Sequence, residues 1–544
     1  MEQSTSGYDA VVVGSGYGGS VAASRLSRMG LRVAVFERGR HWRPGDFPTT
    51  TSAKLRACRL TGHAPDLGHP TGLYYLSIGK GLTVFGASGL GGGSLINAGI
   101  ALRPDMAWLR KSGWPPDVID DGLLNEGFAR AETMLGVAPV PEPGRFAKLE
   151  WMSKTAKSCE KPLQFPAMTI THKPGLNSAG VLQYACQHCG DCWSGCNVGA
   201  KNTTGVTYLM DATDHGASVF CESHVQSIAK CDAGWRIEVK DMSQQARVRI
   251  IATPILVLAA GTLGTNELLL KAQACGLPLS SKLGTRFSAN GDDLMLAMQL
   301  ATPVNAVATG FPSRAPRGTP LVGPHSAAAI NLSDNDGPLW VHDGTMLTLM
   351  ARLAPLKNML QLDFRRALRE LRHGIYAADL SRTQLLYVVA YDNAGGQLRL
   401  KNDRVCVDWS DYSDAPERLK TEQRVKAVIE RVSGKFGANP FAMTAFGGNR
   451  IIAHPLGGAA MGETSMDGVV APDGQVFDPS SGPTAVHKGL YVCDGAAIPS
   501  SVGVSPLLTI SALAERAMVL LSRKLNRKID MGATPMRWPR DALA

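Results

Sequence analysis

Three groups of residues in this 544-residue chain have types and spacings that could do chemistry. His454 opens the segment HPLGG; a lone histidine is more often a satisfied structural residue, but imidazole is the side chain able to move a proton near neutral pH. Cys186, Cys189, Cys192 and Cys196 form C-x2-C-x2-C-x3-C. Gly14, Gly16 and Gly19 punctuate a turn that follows an apolar strand. The first group suggests proton transfer, the second metal or thiol chemistry, and the third phosphate binding.

The glycine turn has the fullest context. Asp9 to Glu37 reads DAVVVGSGYGGSVAASRLSRMGLRVAVFE, a β-branched strand, a turn, an Ala- and Leu-rich helix and a second strand. In such a βαβ unit Gly14 permits the tight turn, Gly16 lets the backbone approach a pyrophosphate, and Gly19 lets helix and strand pack closely. The helix N-terminus then offers free N–H groups and its positive dipole end to the phosphates. Glu37, at the end of the second strand, would accept hydrogen bonds from adenosine ribose hydroxyls and repel a 2′-phosphate. FAD or NAD therefore fits better than NADP.

The cysteine spacing admits three readings. Bacterial ferredoxins use it to hold an iron–sulfur cluster, with the fourth thiolate normally serving a second cluster. The seven other cysteines, Cys58, Cys159, Cys221, Cys231, Cys275, Cys406 and Cys493, share no such spacing, and Asn197 replaces the usual proline. A single iron–sulfur cluster, a zinc site of four thiolates and free thiols in a loop all remain open. The short spacing disfavours a relaxed tetrahedral zinc site.

The elements that must position these groups follow from length and pattern. A chain of this length exceeds one ordinary core, and 44% hydrophobic residues suffice to bury two or more domains. Residues 39–72 lose periodicity and gather Pro, Gly and Thr, which predicts a long lid-like surface loop. Gly86 to Gly99 (GASGLGGGSLINAG) suits close backbone approach. A buried strand at Ile255 to Leu258 turns through Gly261 and Gly264 into a helix, a second nucleotide-facing crossover. Beyond about Leu296 the runs alternate, as at Leu385 to Tyr391 and Gln397 to Leu400, and predict a mostly antiparallel sheet with a helix near Ala415 to Phe436. The start of a closing helix is marked by Ser505 as N-cap and Pro506 at the first position.

The overall charge is +10, from 56 Lys and Arg against 46 Asp and Glu, and it is dispersed. Nucleic-acid binding has little support. No basic n-region precedes an apolar stretch at the N-terminus, so a cytoplasmic location is expected. No apolar run suffices to span a bilayer, because the candidate Pro506 to Leu521 carries Glu515 and Arg516. A peripheral membrane contact stays open.

Five segments together resemble the glucose–methanol–choline (GMC) oxidoreductase family, in its bacterial cholesterol-oxidase-like branch. They are GSGYGGS, GLGGGSLINAGIA, AAGTLGTNELL, HPLGG and GLYVCDGAAIPSSVGVSPLLTISALAER, and they occur in family order over the whole chain. The resemblance implies an α/β fold, with a Rossmann-like FAD-binding domain of residues 1–105, 200–295 and 447–530. Residues 106–199 and 296–446 would form the sheet-based substrate domain.

It implies noncovalent FAD with Gly14, Gly16, Gly19 and Glu37 on ADP and Val225 at the adenine. Gly93 and Asn97 would lie near the flavin, and Asp494 and Gly495 by the ribityl chain. Tyr17, Gly18, Arg38, Gly89, Ser94, Ala98, Gly99, Ala260, Gly261, Ser505, Pro506 and Leu507 complete the expected contact set. The implied reaction takes a hydride from an alcohol carbon to flavin N5 while His454 accepts the hydroxyl proton.

Two features depart from the family pattern: Ser505 stands where an Asn usually reaches the substrate oxygen, and Ala459-Ala460 follows HPLGG where Cys is frequent. The family's substrate-domain carboxylate has LWVHDG (Leu339 to Gly344) as its nearest counterpart. That makes His342 or Asp343 a candidate second polar group, with a polar turn as the plain alternative. The expected substrate is a bulky apolar alcohol, a sterol or long-chain alcohol, with oxygen or another electron acceptor. The alternatives are a sugar or polyol dehydrogenase with an iron–sulfur relay and a flavin-binding lyase without redox turnover.

Overall fold

The computed structural model describes residues 7–62, 66–243, 247–313, 315–360, 364–365, 368, 372, 374–376, 378–439, 449–532 and 540–541, with backbone alone at 355–360 and 540–541. Residues 63–65 of the expected lid and 440–448, around the expected domain junction, lie outside this set.

A six-stranded sheet is built from distant parts of the chain, in the order Ser218–Phe220, Val33–Phe36, Ala10–Val13, Ile255–Leu258, Val486–Val492, Gln475–Phe477. The first five run parallel and the last is antiparallel. Ala10–Val13, Val33–Phe36 and Ile255–Leu258 are buried at every residue, which is why they read as continuous apolar runs rather than alternating ones. The helices Tyr17–Arg28 and Leu507–Lys524 pack on each other. A buried ion pair, Arg25 Nη2 to Glu515 Oε1 at 2.6 Å, fastens the two helices together. The antiparallel trio Ser223–Cys231, Gly234–Asp241 and Val248–Thr253 packs against two strands of the sheet through its middle strand.

The second six-stranded sheet is antiparallel throughout, in the order Lys435–Gly437, Asp293–Met298, Gln384–Ala390, Leu339–Gly344, Ala329–Asn331, Leu163–Gln164. Side chains alternate across it. Met295, Val341, Leu386 and Val388 pack with Trp151 and Met152 of the helix Ala147–Ser158 and with Val425 and Ile429 of the helix Pro416–Arg431. Leu294, Leu385, Tyr387 and Val389 face the other way, onto Ala98 and Ile100. That second face is the one turned to the nucleotide domain.

The 39–72 segment is not the structureless loop its composition predicts. It holds the helix Thr51–Arg56 and the strands Cys58–Gly62 and Leu67–Gly68, which join Tyr74–Ile78, Leu82–Ala87 and Arg450–Ile452 in a five-stranded sheet. Lys54 of that helix is buried and donates to Ser194 Oγ at 2.6 Å, with Asp191 3.3 Å away. The segment is thereby fastened to the cysteine loop.

Candidate active site

The glycine turn is shaped by what surrounds it. Gly14 has φ of +95°, and a Cβ there would stand 2.2 Å from the Ala259 carbonyl oxygen. A Cβ on Gly18 would meet the Cys493 carbonyl oxygen at 1.4 Å, and one on Gly19 the Gly14 oxygen at 2.1 Å. Nothing lies within 4 Å of a Cβ built on Gly16. The turn is thus packed tightly on one side and left open at the N-cap of the helix Tyr17–Arg28, where free N–H groups point into space.

That space continues into a cavity of about 360 Å³. Gly14, Gly16, Tyr17, Gly18, Glu37 and Arg38 line it, as does Val225. Gly93, Asn97, Ala98 and Gly99 contribute from the glycine-rich segment, and Ala260, Gly261, Asp494 and Gly495 from two further strand ends. The remaining expected contacts behave differently. Gly19 packs the helix, Gly89 accepts from Ser15 Oγ, and Ser94 donates to Gly91 O at 2.6 Å, so these three shape the wall from behind.

Glu37 is buried and accepts from Ser15 Oγ at 2.5 Å, Ser15 N at 3.2 Å and Gly39 N at 2.8 Å. Burial nevertheless pushes its carboxyl above the usual range. Asp494 is pushed up to about 6 by burial, against the donors Thr265 Oγ1, Ala496 N and Gly261 N. It ties the Val486–Val492 strand end to the start of the helix Gly261–Ala274.

These features fit a dinucleotide such as FAD. The open space at Gly16 suits a pyrophosphate, Glu37 keeps acceptor capacity for hydroxyls, and Asn97 Oδ1 is buried without a partner while its Nδ2 donates to Tyr17 Oη at 2.6 Å. Bound there, FAD would supply a two-electron acceptor for a hydride.

His454 lines the same cavity. Asp292 holds it twice: Oδ2 accepts the His454 main-chain N–H at 2.8 Å, and Oδ1 lies 3.0 Å from Nδ1. With Nδ1–H given to the carboxylate, the lone pair sits on Nε2, the tautomer a base requires. Tyr387 places its phenol oxygen 2.6 Å from Nδ1 and donates to Asp292 Oδ1 at 3.2 Å. Neither Asp292 nor Tyr387 is apparent from local sequence. The only signal is alternation, which puts Tyr387 on one face with Leu385 and Val389.

Ser505 does not cap the closing helix. The helix runs Leu507–Lys524 with Pro506 at the cap position and no side-chain cap bond, while the Ser505 hydroxyl bonds to Tyr387. Asn290 secures the approach, donating to Val504 O at 2.9 Å and accepting from Val502 N at 2.9 Å. Ser505, Pro506 and Leu507 all line the cavity, so this helix also turns an uncapped N-terminus toward it.

Strand parity separates the other two candidates. Leu339–Gly344 is a strand, not a turn, and His342 pairs with Tyr387 in register. His342 stands on the Tyr387 face with ring centroids 6.0 Å apart, fully buried, with neither ring nitrogen partnered. Burial first and His454 second push its pKa down to about 3. Asp343 points the other way: Lys148 Nζ lies 2.7 Å from Oδ2, and Ala327 N and Ala328 N donate to Oδ1 at 2.7 and 2.6 Å. Asp343 thus faces Lys148 on the opposite side of the sheet, while His342 lies behind Tyr387 and does not itself line the cavity.

The four motif cysteines line one small cavity of about 30 Å³ together with Lys201. None of the four is in a disulfide. Burial pushes Cys186 up to about 12 and raises Cys189 and Cys192 as well. Among the described residues no group of three or more His, Cys, Asp or Glu is arranged to hold a metal ion, so the residues present do not fit the zinc reading. Lys201 Nζ donates to Cys192 O and Asn97 O, both at 2.7 Å, and joins this loop to the cavity wall.

A parallel nucleotide sheet, an open phosphate turn and a carboxylate-held imidazole in one cavity define a dinucleotide-dependent oxidoreductase. The family model for GMC oxidoreductase matches residues 8–288, and its C-terminal counterpart matches 406–514. The chain belongs to the GMC oxidoreductase family; it is an FAD-dependent enzyme that acts on CH–OH donors.

Among its relatives, a cholesterol oxidase of Mycobacterium tuberculosis is 29% identical, over 95% of this chain and 91% of its own. A long-chain-alcohol oxidase of Arabidopsis thaliana is 22% identical, over 93% of this chain and 65% of its own. Among solved structures, pyridoxine 4-oxidase from "Mesorbium loti" superposes with a TM-score of 0.59 at 16% identity, covering 95% of this chain and 99% of that one. Among the described residues no helix is long and apolar enough to cross a membrane.

Proposed function

We propose that this enzyme oxidises a bulky, largely apolar alcohol, a sterol or long-chain alcohol, to the carbonyl, with noncovalently bound FAD and His454 as base. The observation that carries the reading is the locked imidazole: Asp292 fixes both the backbone and Nδ1 of His454, at a cavity that also meets apolar side chains. Ile96, Ala98, Ile100, Trp193, Leu507 and Ile510 line it. Such a wall favours an apolar body and leaves polar recognition to the few groups around His454. The cholesterol oxidase and long-chain-alcohol oxidase relatives support the same substrate class.

In this mechanism the cavity wall orients the carbon skeleton, and His454 Nε2 accepts the hydroxyl proton while Nδ1–H stays on Asp292. The uncapped N-terminus of Leu507–Lys524 offers its positive end to charge accumulating in the cavity. Gly14, Gly16, Gly18, Glu37, Arg38 and Val225 would hold the ADP half, with Gly19 keeping the helix packed behind them. We propose the discontinuous division into FAD-binding and substrate segments on the same grounds, with the 39–72 segment as a fixed wall rather than a free lid.

The second reading, a sugar or polyol dehydrogenase with an iron–sulfur relay, is favoured by one observation, four thiols sharing a cavity. The absence of a metal-holding group among the described residues weighs against it, as does the apolar wall. The deciding experiment is anaerobic mixing of the purified flavoprotein with a sterol, a long-chain primary alcohol and a hexose, with iron analysis on the same sample. Bleaching by the apolar alcohols in iron-free protein is the expected result. Bleaching by hexose alone, with stoichiometric iron, would establish the rival. A flavin that no alcohol bleaches would remove alcohol oxidation altogether.

A further inference from the structure

The cysteine segment carries Trp193, between Cys192 and Ser194, to the wall of the large cavity. Cys192–Ser194 is a single 3₁₀ turn whose two ends are pinned from elsewhere in the chain. Lys201 Nζ donates to Cys192 O at 2.7 Å, Tyr74 Oη to Ser194 O at 2.8 Å, and Lys54 Nζ to Ser194 Oγ at 2.6 Å. The indole is also gripped by rings. His325 stacks on it with centroids 4.0 Å apart, and Tyr387, whose phenol touches His454, meets it at 89° with centroids 6.0 Å apart. His325 is held in turn, because its main-chain N–H donates to the Cys192 sulfur.

We propose that Trp193 is a specificity-determining residue, a rigid flat platform that receives a fused alicyclic ring system and so selects a sterol over a linear long-chain alcohol. The proposal rests on the alcohol-oxidation reading above and deepens it by choosing between its two substrate classes. Trp193 is half-buried, with His325 stacked on the ring and its remaining surface on the cavity that it lines. Ala98 and Ile100, which pack with it and line the same cavity, are aliphatic, so the indole is the flat member of that patch. A fused skeleton is already stiff, and it covers a broad aromatic area while losing little conformational freedom. A linear chain must freeze several rotatable bonds to cover as much.

The cysteine segment then has a mechanical role that needs no metal. Gly195, at φ of +99°, lets it run against the 39–72 wall, where a Cβ would stand 2.0 Å from the Phe47 ring. Lys54 reaches it from that same wall, and Lys201 ties it to the Asn97 carbonyl of the cavity at 2.7 Å. A platform fixed from both sides holds a stiff ligand in one orientation, which is what the hydroxyl needs to meet His454.

The test is anaerobic stopped-flow flavin reduction of the holoenzyme by cholesterol and by cetyl alcohol, each carried in the same cyclodextrin. Wild type is expected to favour cholesterol. Trp193→Leu keeps an apolar side chain but removes the flat face, and it should lower the cholesterol-to-cetyl preference about tenfold or more, through apparent affinity rather than limiting rate. Loss of a merely structural ring would slow both alcohols alike, so a preference within about twofold of wild type overturns the proposal. Should the variant fail to fold or to retain FAD, the wild-type enzyme decides with cholestanol, whose rings lie flat, and its bent A/B-cis isomer coprostanol. Faster reduction by the flat isomer supports the platform, and equal reduction by the two overturns it. Bleaching of wild type by cetyl alcohol but not cholesterol sinks the platform and leaves alcohol oxidation standing. If no alcohol bleaches the flavin, the alcohol reading falls and takes this proposal with it.

Discussion

Asp292 grips His454 at two points, its Oδ2 on the main-chain N–H at 2.8 Å and its Oδ1 3.0 Å from Nδ1. One carboxylate therefore sets both where the imidazole sits and which nitrogen carries the proton. An amide in its place keeps the shape but offers an NH2 group where an acceptor is needed. Asp292→Asn should retain FAD and slow anaerobic flavin reduction about 10²–10⁴-fold. A rate within about threefold of wild type would show that the tautomer is not set here.

The glycine turn was legible because its constraints are local: strand, Gly14, Gly16, Gly19 and Glu37 lie within thirty residues, and each has a steric or polar reason. The antiparallel sheet was legible from alternation. What stayed hidden depends on contacts far apart in the chain. Asp292 and Tyr387 reach His454 from 162 and 67 residues away, and no spacing rule connects them. Ser505 followed by proline has the pattern of a cap, but a competing bond to Tyr387 took the hydroxyl. The 39–72 segment lacks periodicity because its short strands sit at a sheet edge, where alternation is weak.

Gly16 is the place to separate cofactor binding from folding. A Cβ there meets no protein atom within 4 Å, and the space it would enter is the space proposed for the pyrophosphate. Gly16→Ala should leave the melting temperature of the apoprotein unchanged while weakening FAD at least tenfold, about 1.4 kcal/mol, in a fluorescence titration. Equal FAD affinity in the two proteins would place the phosphates elsewhere.

Lys148 and Asp343 form a pair that is 1% and 0% exposed, on the sheet face turned away from the cavity. Removing the cation strands a carboxylate that keeps only two main-chain donors. Lys148→Met should lower unfolding free energy by about 3–5 kcal/mol, measured by urea titration. The flavin-reduction rate of the folded fraction should stay at the wild-type value. A large rate loss with little destabilisation would return Asp343 to the active site.

His325 is fully buried, stacked on Trp193 with centroids 4.0 Å apart, and neither ring nitrogen has a partner. Burial, with Lys148, Lys201 and His342 nearby, pushes its pKa well below the ordinary 6.5. The sign follows from proton counting. Below 6.5 the unfolded chain binds a proton that the native imidazole refuses, so the stability present above 6.5 is lost as pH falls toward the native value. The slope is about 1.4 kcal/mol per pH unit for each such group. His342, held down to about 3, acts in the same direction, whereas Asp494, raised to about 6, opposes both. A difference between proteins isolates one residue from that background. His325→Phe keeps the stack on Trp193 and removes two orphaned polar atoms, so it should match or exceed wild-type stability at pH 7. Between pH 6 and 5 it should gain about a further 1.4 kcal/mol over wild type in urea unfolding. Parallel stability profiles for the two proteins would mean that His325 is already protonated, or solvated, in the native state.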